Sequence, residues 1–237
     1  VAQEGQVSER SNLRRSVRKL PVVRDTIDHA FHPLKIEGDL GEKVACRKGC
    51  AYCCHQLVTI TMPEAIDLYV SILENRFLLS KVGQWCDAQA LSIARGMTSS
   101  QWFKTGQRCV FLTDANDCAV YERRPFPCRT LMALGTSDNC RPEATDPVVK
   151  RPDHRHAFKY VYVHTGRAAE EAGLPVGMIP LPVAMQWAAV AWNEGRDALR
   201  RYIDQAGIPA YDHLAHAAYW AERLETNVEE APGTERG

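Results

Sequence analysis

Apolar residues recur at helical spacing over much of this chain, and the strict alternation of a half-buried strand is scarce. Residues 21–40 carry a weak helical periodicity that ends in the turn signals Gly38 and Gly41. Leu57 to Thr61 (LVTIT) reads as a short extended segment. Thr61-Met62-Pro63-Glu64 reads as a helix start, with a hydroxyl to cap, a proline suited to the first turn and a carboxylate at the positive end of the helix dipole. Ala65, Leu68, Tyr69 and Ile72 follow at helical spacing. Further helices are expected over 82–97, 158–171, 182–203 and 210–226. The helix expected at 182–203 has Val183, Trp187 and Val190 on one stripe, continued by Leu199, Tyr202 and Ile203. The one at 210–226 has Leu214, Ala217, Ala218 and Ala221.

Three stretches break this pattern. Residues 1–20 are polar and read as a flexible N-terminal arm whose Arg14, Arg15, Arg18 and Lys19 form a solvated charge run. Residues 227–237 read as a disordered tail. Residues 105–152 hold five prolines, scattered Gly, Asp and Asn, and four cysteines, the signature of irregular backbone pinned by something other than an apolar ladder. The expected fold is therefore mainly α. It is a single helical domain over 21–226, with an irregular cysteine-rich metal-binding lobe at about 46–140 and a helical C-terminal part at about 153–226.

Composition narrows the function classes. At 237 residues, 45% hydrophobic and 24% charged, the chain is an ordinary globular sequence that can own a core without crosslinks. Its 29 basic and 29 acidic residues cancel, which argues against a basic nucleic-acid binder. The longest apolar stretch, Leu181 to Trp192, is interrupted by Gln186 and falls short of a bilayer span, so no membrane association is expected. The first residues lack the apolar segment of a secretory signal. The expected compartment is thus the reducing cytoplasm, where nine cysteines are expected to be metal ligands or redox groups rather than disulfides.

The cysteines fall into two groups along the chain. Cys46, Cys50, Cys53 and Cys54 form C-x3-C-x2-C-C, and Cys109, Cys118, Cys128 and Cys140 follow at gaps of eight, nine and eleven residues. Short gaps let successive thiolates turn toward one centre at little loop-closure cost, and soft thiolates select zinc or iron–sulfur clusters over magnesium or calcium. Cys53 and Cys54 are neighbours whose side chains should diverge. Cys86 lies in a helical pattern, outside both groups, and reads as a buried apolar thiol.

Several motifs here resemble the YkgJ-type cysteine-cluster family, the CxxCxxCC zinc- or iron-chelating domain. They are Gly49-Cys50-Ala51-Tyr52-Cys53-Cys54, the T-I-T-x-P-E-A stretch at Thr59–Ala65, Cys109-Val110-Phe111-Leu112, and C-x2-Y-x2-R-P-x2-C-R from Cys118 to Arg129. The resemblance covers about residues 46–140, and its first spacing, C-x3-C, departs from the C-x2-C of many members. It implies that Cys46, Cys50, Cys53, Cys54, Cys109, Cys118 and Cys128 are metal ligands, and Cys140 joins them as a candidate from its place in the same cysteine-rich region. Relatives include iron–sulfur proteins and flagellin lysine-N-methylases, so the resemblance says more about metal than about reaction.

Structural zinc sites usually pair two C-x2-4-C knuckles, which the second group lacks. Iron–sulfur clusters accept irregular ligand spacing. A cysteine-ligated 4Fe–4S cluster is therefore the favoured cofactor, with zinc the alternative. Arg124 and Arg129 bracket Cys128 and can offset thiolate charge, and Tyr121 can donate a phenolic hydrogen bond. These three are the candidate cofactor-binding residues beside the metal ligands, and Arg123 reads as a surface charge.

Competing constellations are weaker. Cys46-x3-Cys50-x2-Cys53 also matches the radical S-adenosylmethionine signature, but the alternating β/α pattern such enzymes need is missing. His55, His154 and His156 are secondary ligand candidates, and His213 and His216 read as packing residues. No nucleophile–base set is readable, so catalytic residues stay unassigned. Two classes remain open: a cluster-dependent enzyme, methylase-like by the resemblance, or a non-catalytic metal module serving redox chemistry or an unidentified protein or small-molecule partner.

Overall fold

The computed structural model describes residues 2–94, 99–141, 143, 149–153 and 155–205. The helix expected at 210–226, the tail after it, and His154, His213, His216, Tyr219 and Trp220 lie outside the described residues.

The chain is mainly helical, as its periodicity predicts. In order it forms α1 (Ala2–Val17), α2 (Leu20–Ala30), α3 (Pro33–Leu40), β1 (Thr59–Ile60), α4 (Met62–Ile72), α5 (Arg76–Ala94), α6 (Ser99–Lys104), α7 (Phe126–Thr130), α8 (Arg155–Glu171), β2 (Ile179–Pro180), α9 (Leu181–Glu194) and α10 (Arg196–Gln205). Among the described residues the one sheet is the antiparallel pair β1–β2, with Thr59 opposite Pro180 and Ile60 opposite Ile179. The segments between α3 and β1 and between α6 and α8 hold short 3-10 turns, the five-residue α7 and isolated bridges, and they carry eight of the nine cysteines.

Two apolar cores organise the helices. The larger gathers Leu13 of α1, Ile66, Leu68 and Ile72 of α4, Val82 of α5, Trp102 of α6, Val183 and Trp187 of α9, and Leu199 of α10. The smaller gathers Leu20, Val23 and Ile27 of α2, Ile36 of α3, Phe126 of α7, Leu134, and Ala157 and Val161 of α8. The cysteine-rich segments reach the smaller core through Phe126 and Leu134 and the larger one through Val110 and Phe111.

Three expectations are corrected. Residues 2–17 form a helix in place of a flexible arm, because Leu13 is fully buried in the larger core and Arg10 and Arg14 lie over the Trp192 ring, each at 5.6 Å. The helix expected over 182–203 is two helices. Gly195 (φ +94°) breaks it, and the Glu9 carboxylate of α1 accepts the Arg196 N–H at 2.7 Å where α10 begins. A Cβ on Gly195 would come within 2.6 Å of that carboxylate. The helix expected from residue 82 begins at Arg76, where the side chain of Asn75 accepts the Leu78 N–H at 3.0 Å.

Candidate metal centre

Local backbone geometry brings the two cysteine groups together. Gly49 (φ +82°) turns the chain so that the Cys50 N–H returns to Arg47 O at 3.0 Å. Only a residue tolerant of left-handed φ suits that turn. Tyr52–His55 then forms a 3-10 turn carrying Cys53 and Cys54. The Cys109 N–H donates to Cys54 O at 2.7 Å, stitching the second group directly onto the first. Cys109 and Cys118 flank a tight hairpin closed by Ala119 N–H to Phe111 O, with Asn116 (φ +59°) at its tip. Cys128 sits in α7, and Cys140 closes a 3-10 turn at Asp138–Cys140. Residues 43–45 pair with 133–135, through Ala45 N–H to Ala133 O and Gly135 N–H to Lys43 O, both at 2.8 Å. That pairing sets the Cys46 Sγ 3.3 Å from the Ala133 N–H, a donor aimed at sulfur.

All nine cysteines are free thiols. Their mutual electrostatics regroup the two sets read from the sequence. Burial pushes the Cys128 thiol well up, and the charges of Cys109, Cys53 and Cys118 push it further. Burial raises Cys109 to about 11, with Cys118 and Cys53 adding to the rise. Cys118 is raised by burial and by Cys53. Cys53, Cys109, Cys118 and Cys128 therefore face one another in every pairing. Cys46 is raised by burial and by Cys53 and Cys50. Cys140 is raised by burial and by Cys46, Cys50 and Cys53. Cys140, which follows Cys128 in sequence, thus belongs in space with Cys46 and Cys50, and Cys53 stands between the two sets. Nor do Cys53 and Cys54 diverge: a hydrogen bond with Cys54 is the largest cause raising Cys53.

Among the described residues, no three His, Cys, Asp or Glu side chains converge on one point as ligands of a single ion. The thiols of Cys53, Cys109, Cys118 and Cys128 are instead near enough for each to feel the charge of the others. As a donor set they fit a thiophilic metal or cluster, and each raised thiol must shed its proton to bind one.

Cations and carboxylates frame the set. Arg124 lies 3.8 Å from the Tyr121 ring, donates to Tyr121 O at 3.2 Å, and its charge favours the thiolates of Cys53, Cys118 and Cys128. Arg151 does the same for Cys46 and Cys140. Tyr121, 57% exposed, acts through its ring face beneath Arg124. Arg129 is buried and spends its donors on the fold, bonding Asp28 of α2, Glu122 O, and Arg124 O at 2.8 Å. Arg123, read as a surface charge, is exposed and pairs with Asp67 of α4, which also binds Arg24 of α2 at 2.6 Å.

Glu64 latches the frame to the lobe. One of its oxygens accepts the Thr61 N–H and hydroxyl, both at 2.9 Å, and the other accepts the Phe126 N–H at 2.8 Å, two residues before Cys128. Burial pushes its carboxyl above its ordinary value, against the pull of those donors. Sequence reasoning cast Glu64 as a helix-start carboxylate only, and it missed Asp28, Asp67 and Arg151. The available signal was Asp67, a carboxylate on the otherwise apolar face of α4. Of the histidines, His55 has its Nδ1 at 2.8 Å from Gly106 O, and His156 is exposed at the start of α8. Neither stands among the thiols. Cys86 is buried at 1% exposure on α5, as expected, and the Cys109 charge contributes to pushing its thiol up to about 12.

A thiol-rich irregular lobe carried on a helical frame defines a cysteine-based metal-binding protein. Residues 45–146 match the family model CxxCxxCC, whose description is "Putative zinc- or iron-chelating domain". Over that stretch the chain is similar to this family, and the match takes in the motifs that carried the resemblance. No curated protein and no solved structure gives a significant match. Among the described residues no helix is long and apolar enough to cross a membrane.

Proposed function

We propose that the chain is a cytoplasmic iron–sulfur protein whose cysteine lobe holds a 4Fe–4S cluster for redox or metal-dependent chemistry. The observation that supports the reading is that Cys53, Cys109, Cys118 and Cys128, brought from two segments, each feel the charge of the others, while the gaps of eight and nine residues among the last three are irregular spacing that a cluster accepts and a paired-knuckle zinc site does not. These four residues are assigned as the cluster ligands. Cys46, Cys50 and Cys140 supply a second thiol set beside Cys53, which the zinc-binding alternative would use first. The cluster, when bound, supplies one-electron transfer or Lewis acidity. The chain's own residues hold the thiols, balance their charge through Arg124 and Arg151, and leave Cys46 exposed at one edge.

Anaerobically purified protein is expected to be brown, with iron and acid-labile sulfide near four of each per chain. Colourless protein with stoichiometric zinc and no sulfide would replace this reading with a zinc-binding structural or interaction module.

A further inference from the structure

A cleft of about 280 Å³ opens beside Cys50. Its wall includes Arg47, Lys48, Tyr52, His55, Asn116 and Ser137, and among the described residues no acidic side chain lines it. Asp138, next to Ser137, is paired with Arg141. Arg47 and Lys48 make no ion pair among the described residues. Arg124, Arg129 and Arg151 act on the thiols, and Arg47 and Lys48 line the cleft. Arg141, paired with Asp138, lies with its guanidinium 5.5 Å from the Tyr52 ring centroid. The His55 ring is oriented by its Nδ1 contact with Gly106 O. A carbonyl only accepts, so Nδ1 carries the proton and Nε2 is left for another partner.

We infer that this cleft binds a small oxyanion, the carboxylate or phosphate group of a low-molecular-weight ligand, at the edge of the cysteine centre. Arg47 offers a planar fork that matches either group, and Lys48 a point charge. Asn116 and Ser137 add neutral hydrogen-bonding groups on the same wall. At about 30 Å³ per water the volume equals roughly nine waters, which suits a small dicarboxylate or a phosphorylated metabolite. The inference rests on the metal-centre reading only for what the anion would lie beside; binding itself needs no metal.

The test is calorimetric titration of the full chain, as purified, with inorganic phosphate in one arm and succinate in the other. Iron and zinc are measured on the same samples. Saturable one-site binding is expected in at least one arm, and the stronger arm identifies the class. The R47Q/K48Q double variant is expected to bind at least tenfold more weakly with unchanged metal content, while the distant Lys35→Gln variant matches the parent. No saturable binding in either arm, or equal binding by R47Q/K48Q, overturns the inference. Anion binding by a protein without metal would overturn the proposed function and leave the cleft standing.

Discussion

Cys86 shows how little a residue's type says about its role. It shares its chemistry with eight cysteines of the lobe, yet it is buried on α5 within the apolar core that holds Trp102 and Trp187. Burial is the first cause pushing its thiol up to about 12, so it stays neutral and hydrophobic. Cys86→Ser is expected to keep the metal content of the parent, measured by iron, zinc and sulfide analysis. It should also lower stability by about 1–3 kcal/mol in denaturant unfolding, because a hydroxyl enters an apolar pocket. Metal loss in this variant would place Cys86 among the ligands.

The first turn of α4 serves both the helix and the lobe. Its Glu64 satisfies Thr61 at the helix start and the Phe126 N–H of the Cys128 segment. Asp67, one turn on, holds Arg24 of α2 and Arg123 of the lobe. Glu64→Ala removes acceptors from both sides at once. Loss of helix-start satisfaction costs about 1 kcal/mol, and a buried N–H left without an acceptor about 1–3 kcal/mol more. The expected result is a destabilisation of about 2–4 kcal/mol by denaturant unfolding, with accelerated metal release to a chelator. A variant that is destabilised but releases metal at the parental rate would show that the latch serves α4 alone.

The two cores divide the protein into parts with different dependence on metal. The larger, built from α1, α4, α5, α6, α9 and α10, contains long apolar stripes and takes in Val110 and Phe111 of the lobe, with Cys109 and Cys118 packed against it. The lobe touches the smaller core through Phe126 and Leu134 and otherwise relies on turns and ion pairs. Thiolate-bound metal can contribute on the order of 10 kcal/mol to folding, so its loss should loosen the lobe first. Cys128→Ala is expected to abolish metal binding and make 105–152 protease-sensitive, while α9 and α10 stay folded. Limited proteolysis with mass mapping reads this out. Cuts confined to 105–152 support a metal-pinned lobe, and a fully resistant variant would return Cys128 to the role of an ordinary packing thiol.

Periodicity alone was enough to foresee the helical class, the start of α4 at Thr61 and the irregular lobe, because these follow from local spacing, capping chemistry and turn residues. The motifs around Cys50, Cys118 and Cys128 were enough to foresee a zinc- or iron-chelating domain. Local spacing could not foresee what long-range contacts decide. The ordering of α1 depends on one leucine, Leu13, reaching a core built mostly from residues beyond 60. The break at Gly195 depends on Glu9, which lies 187 residues before the N–H it receives. The partition of the cysteines depends on strand-like pairing of 43–45 with 133–135, which carries Cys140 away from Cys128 and toward Cys46. The arginines beside Cys128 could be named from their spacing, but their division of labour could not. Arg124 faces the thiols and Arg129 faces Asp28, because a guanidinium goes where a carboxylate or carbonyl from a distant element is waiting.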